Sequence, residues 1–588
     1  MKRYIVKLLF FTVTALVVLS GCKRSYELEP LERLSDDYVW DTKDSLGTNA
    51  EKFLVNIYSN LPNGFNRVSN DYLDAATDDA ISSAINLVPV TNVQLGGGYD
   101  IFDNFDGTWA ANYKAIRAAN IFLNNIEKVP VKGTIPTGVP LRKAWRAEAR
   151  FLRAFFYFEL VKRYAGVPLV GNSVKDITSE DVLIPRNTFS DCVEYIVGEC
   201  DKATDSLRTD PVDDGNFGRI TKGAALALKA RVLLYAASPL YNHNGDVGLP
   251  GGAAAQKGLS GYTDYSKDRW KRASDAAKAL VTYGRFSLEA KFKDAFIKQN
   301  SPEVILSRNG GAGSSIEVTN GPIGLGNPTG NGRTSPTQEF VDAFLTINGK
   351  PISEDPISIA NPTGYDVNNP YLNRDKRFDA SIFYNGKQWL NTQVQTFEGG
   401  VSKPGTGVQQ TKTGYYLRKF MGDYETAGNY GSTYHNFNYF RYAEVLLNFA
   451  EAENEYLDAP SAEVYNTIVQ IRKRAEIIQN STPATTYGYG LKDNMTKDEM
   501  RTVIRNERRI ELAFEEHHFW DIRRWLTAKQ VLTGTLHGKK ILRANSGLVS
   551  YETRDVQQVS FGNANRYLFP IPNSEMIRNG NLVQNPGW

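Results

Sequence analysis

The chain has 588 residues, of which 41% are hydrophobic and 23% charged, the balance of a folded rather than a disordered protein. This length exceeds that of a single hydrophobic core, so several substructures or one large helical array are expected. The formal net charge is +3, and it falls to zero without Lys2, Arg3 and Lys7 of the leading segment. Because a nucleic-acid-binding protein normally has a basic excess, we predict no nucleic-acid partner.

The first 21 residues have the pattern of an export signal. Met1–Lys7 carries three positive charges, and Leu8–Ser20 carries no charge over 13 residues. A helix of that length spans about 20 Å, too short for a bilayer core of about 30 Å. We therefore predict a signal peptide over residues 1–21. The sequence LSGC at 19–22 resembles the lipobox of bacterial lipoproteins, so Cys22 is predicted to carry the lipid anchor. An incidental cysteine after a secretory signal is the alternative.

Residues 22–48 are polar and are predicted to form an extended tether. The other two cysteines, Cys192 and Cys200, lie eight positions apart in a helical pattern. That spacing separates them by about 12 Å, which is beyond the reach of a disulfide. We expect two thiols in the core and no reliance on disulfides.

Helical periodicity dominates residues 49–265, the predicted N-terminal helical region. One helix face is marked by residues three or four positions apart: Trp109, Tyr113, Ile116, Asn120, Leu123 and Ile126. Further helices are predicted over 143–166, 221–238 and 268–284, with Gly or Pro at their ends. The alanines and aromatic residues on facing stripes look like tetratricopeptide-type helix pairs, although their spacing is too irregular for a regular solenoid.

The C-terminal region is predicted to cover 266–588, with variable loops at about 308–435. Residues 308–336 include eight glycines and read as a long loop, a kind of segment that is often functional. Residues 351–435 mix loops with a few strands. Helices return at 441–457, 461–477 and 495–526, before an extended end. The predicted fold class is therefore mostly α, with tetratricopeptide-like helix pairs packed against an irregular, loop-rich part.

Five stretches in the second half resemble the SusD/RagB family of Bacteroidetes. They are SPTQEFVDAFLTINGKPI (335–352), NPYLNRDKRFDASIFYNG (369–386), RYAEVLLNFAEAENE (441–455), RNERRIELAFEEHHFWDIRRW (505–525) and LFPIPNSEMIRNGNLVQNPGW (568–588). With the lipobox and the N-terminal helices, the resemblance covers essentially the whole chain.

The resemblance implies a surface lipoprotein of the cell outer membrane that faces the cell exterior. It also implies a partner, a SusC-like TonB-dependent transporter, over which the protein sits as a lid. The ligand would be an oligosaccharide or, as in the RagB branch, a peptide, and it would not be cleaved. One feature departs from the family pattern: Lys23 and Arg24 follow the cysteine, where surface lipoproteins of these bacteria often have acidic residues.

Glu507 and Glu511 form an i, i+4 carboxylate pair of the kind that a glycosidase uses. A general acid needs a raised pKa, whereas the neighbouring Arg505, Arg508 and Arg509 would lower it. We therefore predict an internal ion-pair network around this pair, and no catalytic residue.

No metal-binding residue is predicted. His517 and His518 are adjacent and point about 100° apart on a helix, and the H-E-x-x-H motif is absent. The DGT sequence at 106–108 and the DVNN sequence at 366–369 hint at calcium, but neither completes a calcium loop. We predict no cofactor and leave a structural calcium ion open.

The segment GGGYDIFDNFDG at 96–107 is the main candidate for ligand contact. Its glycines give a flexible backbone, Tyr99 and Phe102 supply flat apolar faces, and Asn104 supplies hydrogen-bonding groups. Sugars need both kinds of group. The alternative is that the rings only pin the loop to the body.

Three further positions are weaker candidates for ligand contact. Asp78 and Asp79 are upstream polar candidates, and Trp389 is a candidate platform in a predicted loop. Trp109 and Trp145 lie on helix stripes and are expected in the core. The sequence thus favours nutrient capture, against two alternatives: a secreted glycan hydrolase and a helical scaffold that binds only proteins.

Overall fold

The computed structural model describes residues 36–588 apart from 85–88, 98–99, 175–182, 244–248, 250–251, 408 and 480–483. The predicted signal peptide, Cys22 and most of the tether lie outside the described residues. Among the residues that are described, no helix has the length and apolar character to cross a membrane.

Most of the regular structure is helical. The α-helices are α1 (Asp36–Val39), α2 (Thr48–Tyr58), α3 (Pro89–Gln94), α4 (Trp109–Asn125), α5 (Leu141–Tyr164), α6 (Phe189–Thr204), α7 (Lys222–Ala237), α8 (Ala253–Gln256), α9 (Asp268–Tyr283), α10 (Asp294–Ile297), α11 (Ser315–Asn320), α12 (Gln338–Ala343), α13 (Lys376–Ser381), α14 (Tyr442–Tyr456), α15 (Ala462–Arg474), α16 (Lys497–Glu511), α17 (His518–Arg524), α18 (Ala528–Val531) and α19 (Asn573–Arg578).

The strands form antiparallel pairs: β1 (Ala80–Ser82) with β3 (Thr334–Pro336), β2 (Val304–Ala312) with β8 (Tyr434–Arg441), β4 (Ile382–Phe383) with β7 (Tyr416–Leu417), β5 (Gln388–Trp389) with β6 (Thr392–Gln393), and β9 (Thr533–Arg543) with β10 (Val549–Ser560). In the β2–β8 pair, Ser307 lies opposite Asn438 and Arg308 lies opposite Phe437. This pair positions the cavities described below.

The longer helices pack in chain order as an array. Helix α2 packs on α4, α4 on α5, α5 on α6, α6 on α7, α7 on α9, α9 on α14, and α14 on both α15 and α16. Local sequence sets several starts: Thr188 and Asp191 form a capping box at α6, and Thr496 and Glu499 form another at α16. The predicted fold class, mostly α with helix pairs and a loop-rich part, is confirmed.

Three hydrophobic cores account for most of the buried side chains. The largest lies within α4–α7 and α9, and it also takes up Phe437, Phe519 and Phe569 from the second half of the chain. A second, aromatic-rich core holds the irregular part together around Phe340, Phe378 and Phe420, and a third lies among α14–α16. Cys192 and Cys200 are free and buried, as predicted.

Several predicted elements need correction. The helix predicted over 495–526 is broken after Glu511, because Phe514 and Glu516 both adopt positive φ values, 59° and 65°, which end a right-handed helix. The loop predicted over 308–336 contains most of β2 and all of α11 and β3. The β9–β10 hairpin was not predicted, although its strands are the longest of those described.

Candidate functional site

Glu507 and Glu511 lie in a fully buried ion-pair network, as predicted, but with different arginines. Glu507 pairs with Arg377 (2.6 Å) and Arg472 (3.0 Å). Glu511 pairs with Arg377 (2.8 Å), Arg441 (2.8 Å) and Arg474. These cations come from α13, β8 and α15, so the network ties α16 to three other elements.

The arginines beside the pair in sequence point elsewhere. Arg508 pairs with Asp521 at 2.9 Å, Arg509 pairs with Asp78 at 2.6 Å, and Arg505 lies over the ring of Trp525. Burial alone would raise the pKa of Glu511, but the arginines that surround it hold that pKa well below its ordinary value. This is the opposite of what a general acid requires.

Asp78 and Asp79 are buried, which corrects their prediction as ligand contacts. Nη2 of Arg509 lies 2.6 Å from a carboxylate oxygen of each, and Nε2 of His518 lies 2.7 Å from Oδ1 of Asp78. The pKa of His518 is raised, because the two carboxylates outweigh the effect of burial, which alone lowers it. The aspartates therefore fasten α16 and α17 to the segment before β1.

One atom each from Asp78, Asp79 and His518 lies within 4.8 Å of the others, close enough in principle to share a metal ion. The Arg509 guanidinium already supplies a positive charge to both carboxylates there. His517 is buried on the other side, where burial and nearby arginines hold its pKa well below the usual value. This arrangement favours an internal ion-pair cluster over a metal site.

Trp389 is 4% exposed, which corrects its prediction as an open platform. Its ring stacks on Tyr430 with centroids 5.8 Å apart and meets the edges of Phe383 and Tyr424. The side chain belongs to the second core. Sequence context placed it in a loop, but it lies in the short strand β5 with its ring turned inward.

The loop at 96–107 is held to the body on one side and projects on the other. Phe105 packs against Phe519 and Phe569, whereas Phe102 is 79% exposed. Asp100 shapes the tip, since its Oδ1 accepts the backbone N–H groups of Phe102 (2.7 Å) and Asp103 (2.9 Å). Tyr99 lies outside the described residues. Asn104 is half-buried and accepts the N–H of Asp106.

The aspartates of the two segments that hinted at calcium already have partners within the protein. Asp106 pairs with Arg67 at 3.1 Å and with Arg163 at 2.5 Å. The carboxylate of Asp366 lies in an exposed turn and accepts from the backbone of Asn368 and the side chain of Asn369. Both carboxylates thus have local donors.

Two cavities flank strand β2. Cavity A has a volume of about 300 Å³ and lies between β2, the turn at 63–70 and helix α11. The half-buried ring of Phe65 lines it, and its polar wall includes Asn63, Asn66, Asn70, Arg308, Thr319 and Asn320. The side-chain oxygens of Asn63 and Asn66 accept the backbone N–H groups of Phe65 and Asn70. Among the described residues, the Nδ2 groups of the same two side chains have no hydrogen-bond partner.

Cavity B is more open and has a volume of about 420 Å³. It lies on the other side of Arg308, between β2, helix α2 and the segment 215–219, and it includes the half-buried ring of Phe217 and the exposed Asn309. A smaller cavity of about 110 Å³ adjoins it and shares Phe217 and Ser307. Together these spaces follow β2 for most of its length.

Glycines allow the close packing that shapes cavity A. A Cβ atom at Gly64 would lie 2.0 Å from the ring of Phe437, and one at Gly310 would lie 2.1 Å from the backbone oxygen of His435. The turn at 63–70 therefore packs directly against strand β8. Arg67 of the same turn pairs with Asp106, which links the turn to the predicted ligand loop.

Sequence reasoning missed the polar wall of cavity A. It singled out the glycine-rich segment at 308–336, part of which does line the cavity, but not the asparagines of the turn at 63–70. The available signal was the run of Asn, Gly and Ser in LPNGFNRVSND at 61–71, which marks an exposed turn rich in amide groups.

Comparison with known families and proteins gives consistent results. A family model described as the SusD family matches residues 302–588, and one described as "Starch-binding associating with outer membrane" matches residues 31–234. A SusD-like protein of Formosa agariphila is 27% identical over 509 residues, which is 85% of this chain and 83% of that protein. A second SusD-like protein of the same organism is 24% identical, over 91% of this chain and 93% of that protein.

Solved structures with the same fold include a SusD-like protein of Bacteroides fragilis. It is 26% identical, with a TM-score of 0.74, over 95% of this chain and 100% of that one. A SusD-like carbohydrate-binding protein of the same species gives a TM-score of 0.70 at 23% identity, over 93% of this chain and 100% of that one. A laminarin-binding SusD-like protein gives a TM-score of 0.60 at 20% identity, over 92% of this chain and 99% of that one.

Proposed function

Since the chain belongs to the SusD/RagB family, we propose that it is a glycan-binding lipoprotein of the outer-membrane surface. It captures an oligosaccharide outside the cell and delivers it to a SusC-like TonB-dependent transporter. The observation that carries the binding step is the pair of cavities along β2, lined by amide groups and half-buried rings.

The lining of the cavities suits a sugar chain. Each asparagine offers a donor and an acceptor on one side chain, which matches neighbouring hydroxyl groups. Phe65 and Phe217 offer ring faces to the C–H faces of a sugar, and each such contact is worth on the order of 1 kcal/mol. Strand β2 has nine residues and is therefore about 30 Å long, enough to follow several sugar units. Carbohydrate-binding proteins with the same fold support this proposal.

The anchor and the partner complete the proposal. Lipidation of Cys22 would hold the body at the membrane, and the polar residues that follow would act as a tether that lets the body move over the transporter. The loop at 96–107, with Tyr99, Phe102 and Asn104, remains a proposed second contact zone. Its Asp106 pairs with Arg67 of the turn at 63–70, and other residues of that turn line cavity A.

Binding without hydrolysis is part of the proposal. The i, i+4 carboxylate pair that invited a glycosidase interpretation is buried among arginines, so it cannot reach a glycosidic bond. The arginines around Glu511 also hold the pKa of that carboxyl well below its ordinary value, whereas a general acid needs a raised pKa. Incubation with a mixture of polysaccharides should yield no cleavage products.

An extended peptide is the second candidate ligand. Among the described residues, β8 is the only strand that pairs with β2, so the other edge of β2 has backbone groups that a peptide strand could pair with. The amide-rich wall of cavity A favours the glycan, since strand pairing uses backbone groups and does not need that wall.

Native affinity gels test the proposal. The protein, without its signal peptide, is run in gels that contain soluble starch, laminarin, dextran, polygalacturonate or dextran sulfate, beside gels without polysaccharide. We expect retardation in at least one polysaccharide gel. Normal migration in all of them, together with measurable binding of a mixed peptide library, would replace the glycan by a peptide.

A further inference from the structure

We propose that the glycan held in cavities A and B is anionic, and that the guanidinium of Arg308 binds its carboxylate or sulfate groups. This inference rests on the proposed function, because it names the charge class of the same ligand. It is carried by the position of Arg308, by the absence of a counter-ion for it among the described residues, and by the residues that line the two cavities.

Arg308 lies between the two cavities and lines both. Its side chain is half-buried, and Nη1 donates to the backbone oxygen of Leu61 at 2.6 Å. The guanidinium also lies beside the hydroxyl of Tyr439. Within the described part of the chain, no carboxylate forms an ion pair with it. The planar fork of the guanidinium is thus fixed at one end, and its charge is not neutralised.

The second cation of the lining differs in this respect. Arg219, in cavity B, pairs with Glu148 at 3.1 Å and also with Glu51, so its charge is already met. Arg308 is therefore the uncompensated charge among the described residues that line the two cavities. A partly desolvated cation is costly without a partner, and an anion of the ligand would supply one.

The carboxylates behind cavity A and near cavity B have partners within the protein. Neither cavity has an Asp or Glu among the described residues that line it. Glu317 lies behind cavity A and is fully buried. Tyr424 donates to its Oε1 at 2.6 Å, and Nε2 of His435 lies 3.1 Å from its Oε2. Near cavity B, Asp213 accepts from Asn216, and Asp214 accepts from Asn300.

This charge distribution discriminates between ligands. A neutral sugar gains little from a guanidinium, whereas a carboxylate or sulfate forms charge-assisted and often paired hydrogen bonds with it. The Nδ2 groups of Asn63, Asn66 and Asn309 remain available to donate to the hydroxyl groups on either side of the acidic group, since only the side-chain oxygens of these residues have partners among the described residues. The lining therefore fits an acidic polysaccharide better than an uncharged one.

The test compares pairs of polysaccharides that have the same backbone, one member charged and the other neutral. Polygalacturonate is paired with its methyl ester, and dextran sulfate is paired with dextran, each in native affinity gels at about 0.15 M salt to screen non-specific attraction. We expect the wild-type protein to bind at least one anionic polysaccharide about tenfold more tightly than its neutral counterpart. The two anionic arms distinguish a carboxylate from a sulfate ligand.

Variants show whether the charge preference arises at Arg308. Arg308→Gln should lose about tenfold in affinity for the anionic polysaccharide, and Arg308→Lys should fall between the two, because it keeps the charge and loses the fork. Arg117→Gln is the matched control, since Arg117 is exposed on α4, away from both cavities. Thermal unfolding of each variant checks that the fold is intact.

Several results would overturn the inference. Equal affinity for the charged and neutral members of both pairs would contradict it. The same loss of affinity for the anionic polysaccharide in Arg308→Gln and Arg117→Gln would also contradict it, because that result would indicate non-specific attraction. Binding to laminarin or starch but to neither polyanion would contradict an anionic ligand while leaving the proposed function intact. Binding to polyglutamate and to no polysaccharide would overturn both.

Discussion

Nη1 of Arg308 donates to the backbone oxygen of Leu61 at 2.6 Å, and this contact joins strand β2 to the residues just before the asparagine-rich turn at 63–70. The two residues are 247 positions apart in sequence. The contact holds the guanidinium at the point where the two cavities meet. The candidate site is thus assembled from the N-terminal and C-terminal parts of the chain.

The buried ion-pair network predicts a large loss of stability in Glu511→Gln. The substitution removes the charge that Arg377, Arg441 and Arg474 share, and it leaves buried cations without full compensation. We expect the free energy of unfolding to fall by about 3–5 kcal/mol, measured by urea denaturation. The control is Glu463→Gln, which breaks an exposed pair with Lys278 and should cost less than about 1 kcal/mol. Similar losses in the two variants would contradict the structural role of the network.

The raised pKa of Asp74 makes the stability of the protein depend on pH. Burial, and then the charge of Asp79, raise the pKa of Asp74 from 3.8 to about 7. Because the folded-state pKa is raised, the protonated carboxyl of Asp74 favours the folded state and the ionised carboxylate disfavours it. The free energy of unfolding therefore falls as the pH rises from about 4 to about 7. The loss is at most about 1.4 kcal/mol per pH unit.

The variant Asp74→Asn removes this titration and keeps the oxygen that accepts the N–H of Phe514 at 2.9 Å. Urea unfolding of the variant should therefore lose less stability between pH 5 and pH 8 than the wild type does. Asp458→Asn is the control, since Asp458 is exposed and pairs with Lys267 at the surface. If Asp74→Asn and the wild type lost stability in parallel, the proposed titration of Asp74 would be wrong.

The projecting loop predicts that its two phenylalanines, Phe102 and Phe105, respond differently to substitution. Phe102 is 79% exposed, whereas Phe105 packs within 5.9 Å of the rings of Phe519 and Phe569. Phe102→Ala should leave the unfolding midpoint unchanged and weaken polysaccharide binding by about fivefold, on the order of 1 kcal/mol. Phe105→Ala should lower the midpoint. Unchanged affinity in both Phe102→Ala and Tyr99→Ala would remove this loop from the site.

Lipidation at Cys22 predicts that Cys22→Ser releases the protein from the membrane. Cells that express the wild-type protein are labelled with a palmitate analogue, and the protein should carry the label and sediment with outer membranes. The variant should be unlabelled and appear in the soluble fraction. An unlabelled wild-type protein that purifies without a SusC-like transporter would contradict both the anchor and the proposed delivery step.

The sequence predicts the helices well where one face repeats without interruption. The pattern at 268–284 and helix α9 agree to within a residue, because Gly284 adopts φ 65° and ends the helix. The break after Glu511 escapes such reasoning, because Phe514 and Glu516 adopt positive φ without being glycine. Tertiary contacts, including the N–H of Phe514 on Asp74, hold that backbone in place.

The candidate site is less predictable than the fold, because composition does not report exposure. Trp389 and Phe102 both lie in polar, turn-rich sequence, yet one is 4% exposed and the other 79%. In the sequence, Asp78 and Asp79 resemble surface carboxylates. In the structure they are buried and pair with Arg509 of α16 and His518 of α17. Cavity A combines a turn near residue 66 with a strand near residue 308, a pairing that only the folded chain brings together.

The central claim, that a glycan binds in the cavities along β2, is tested most directly by titrating one variant. Asn66→Ala/Asn70→Ala removes two exposed amides from the wall of cavity A and touches no ion pair. Isothermal titration with the polysaccharide that most retards the wild-type protein should show an affinity about tenfold lower. The unfolding midpoint should fall by no more than a few degrees, because the variant loses the hydrogen bond from the N–H of Asn70 to Asn66 and places an alanine at φ 71°. Equal affinity in the variant and the wild type would contradict the account.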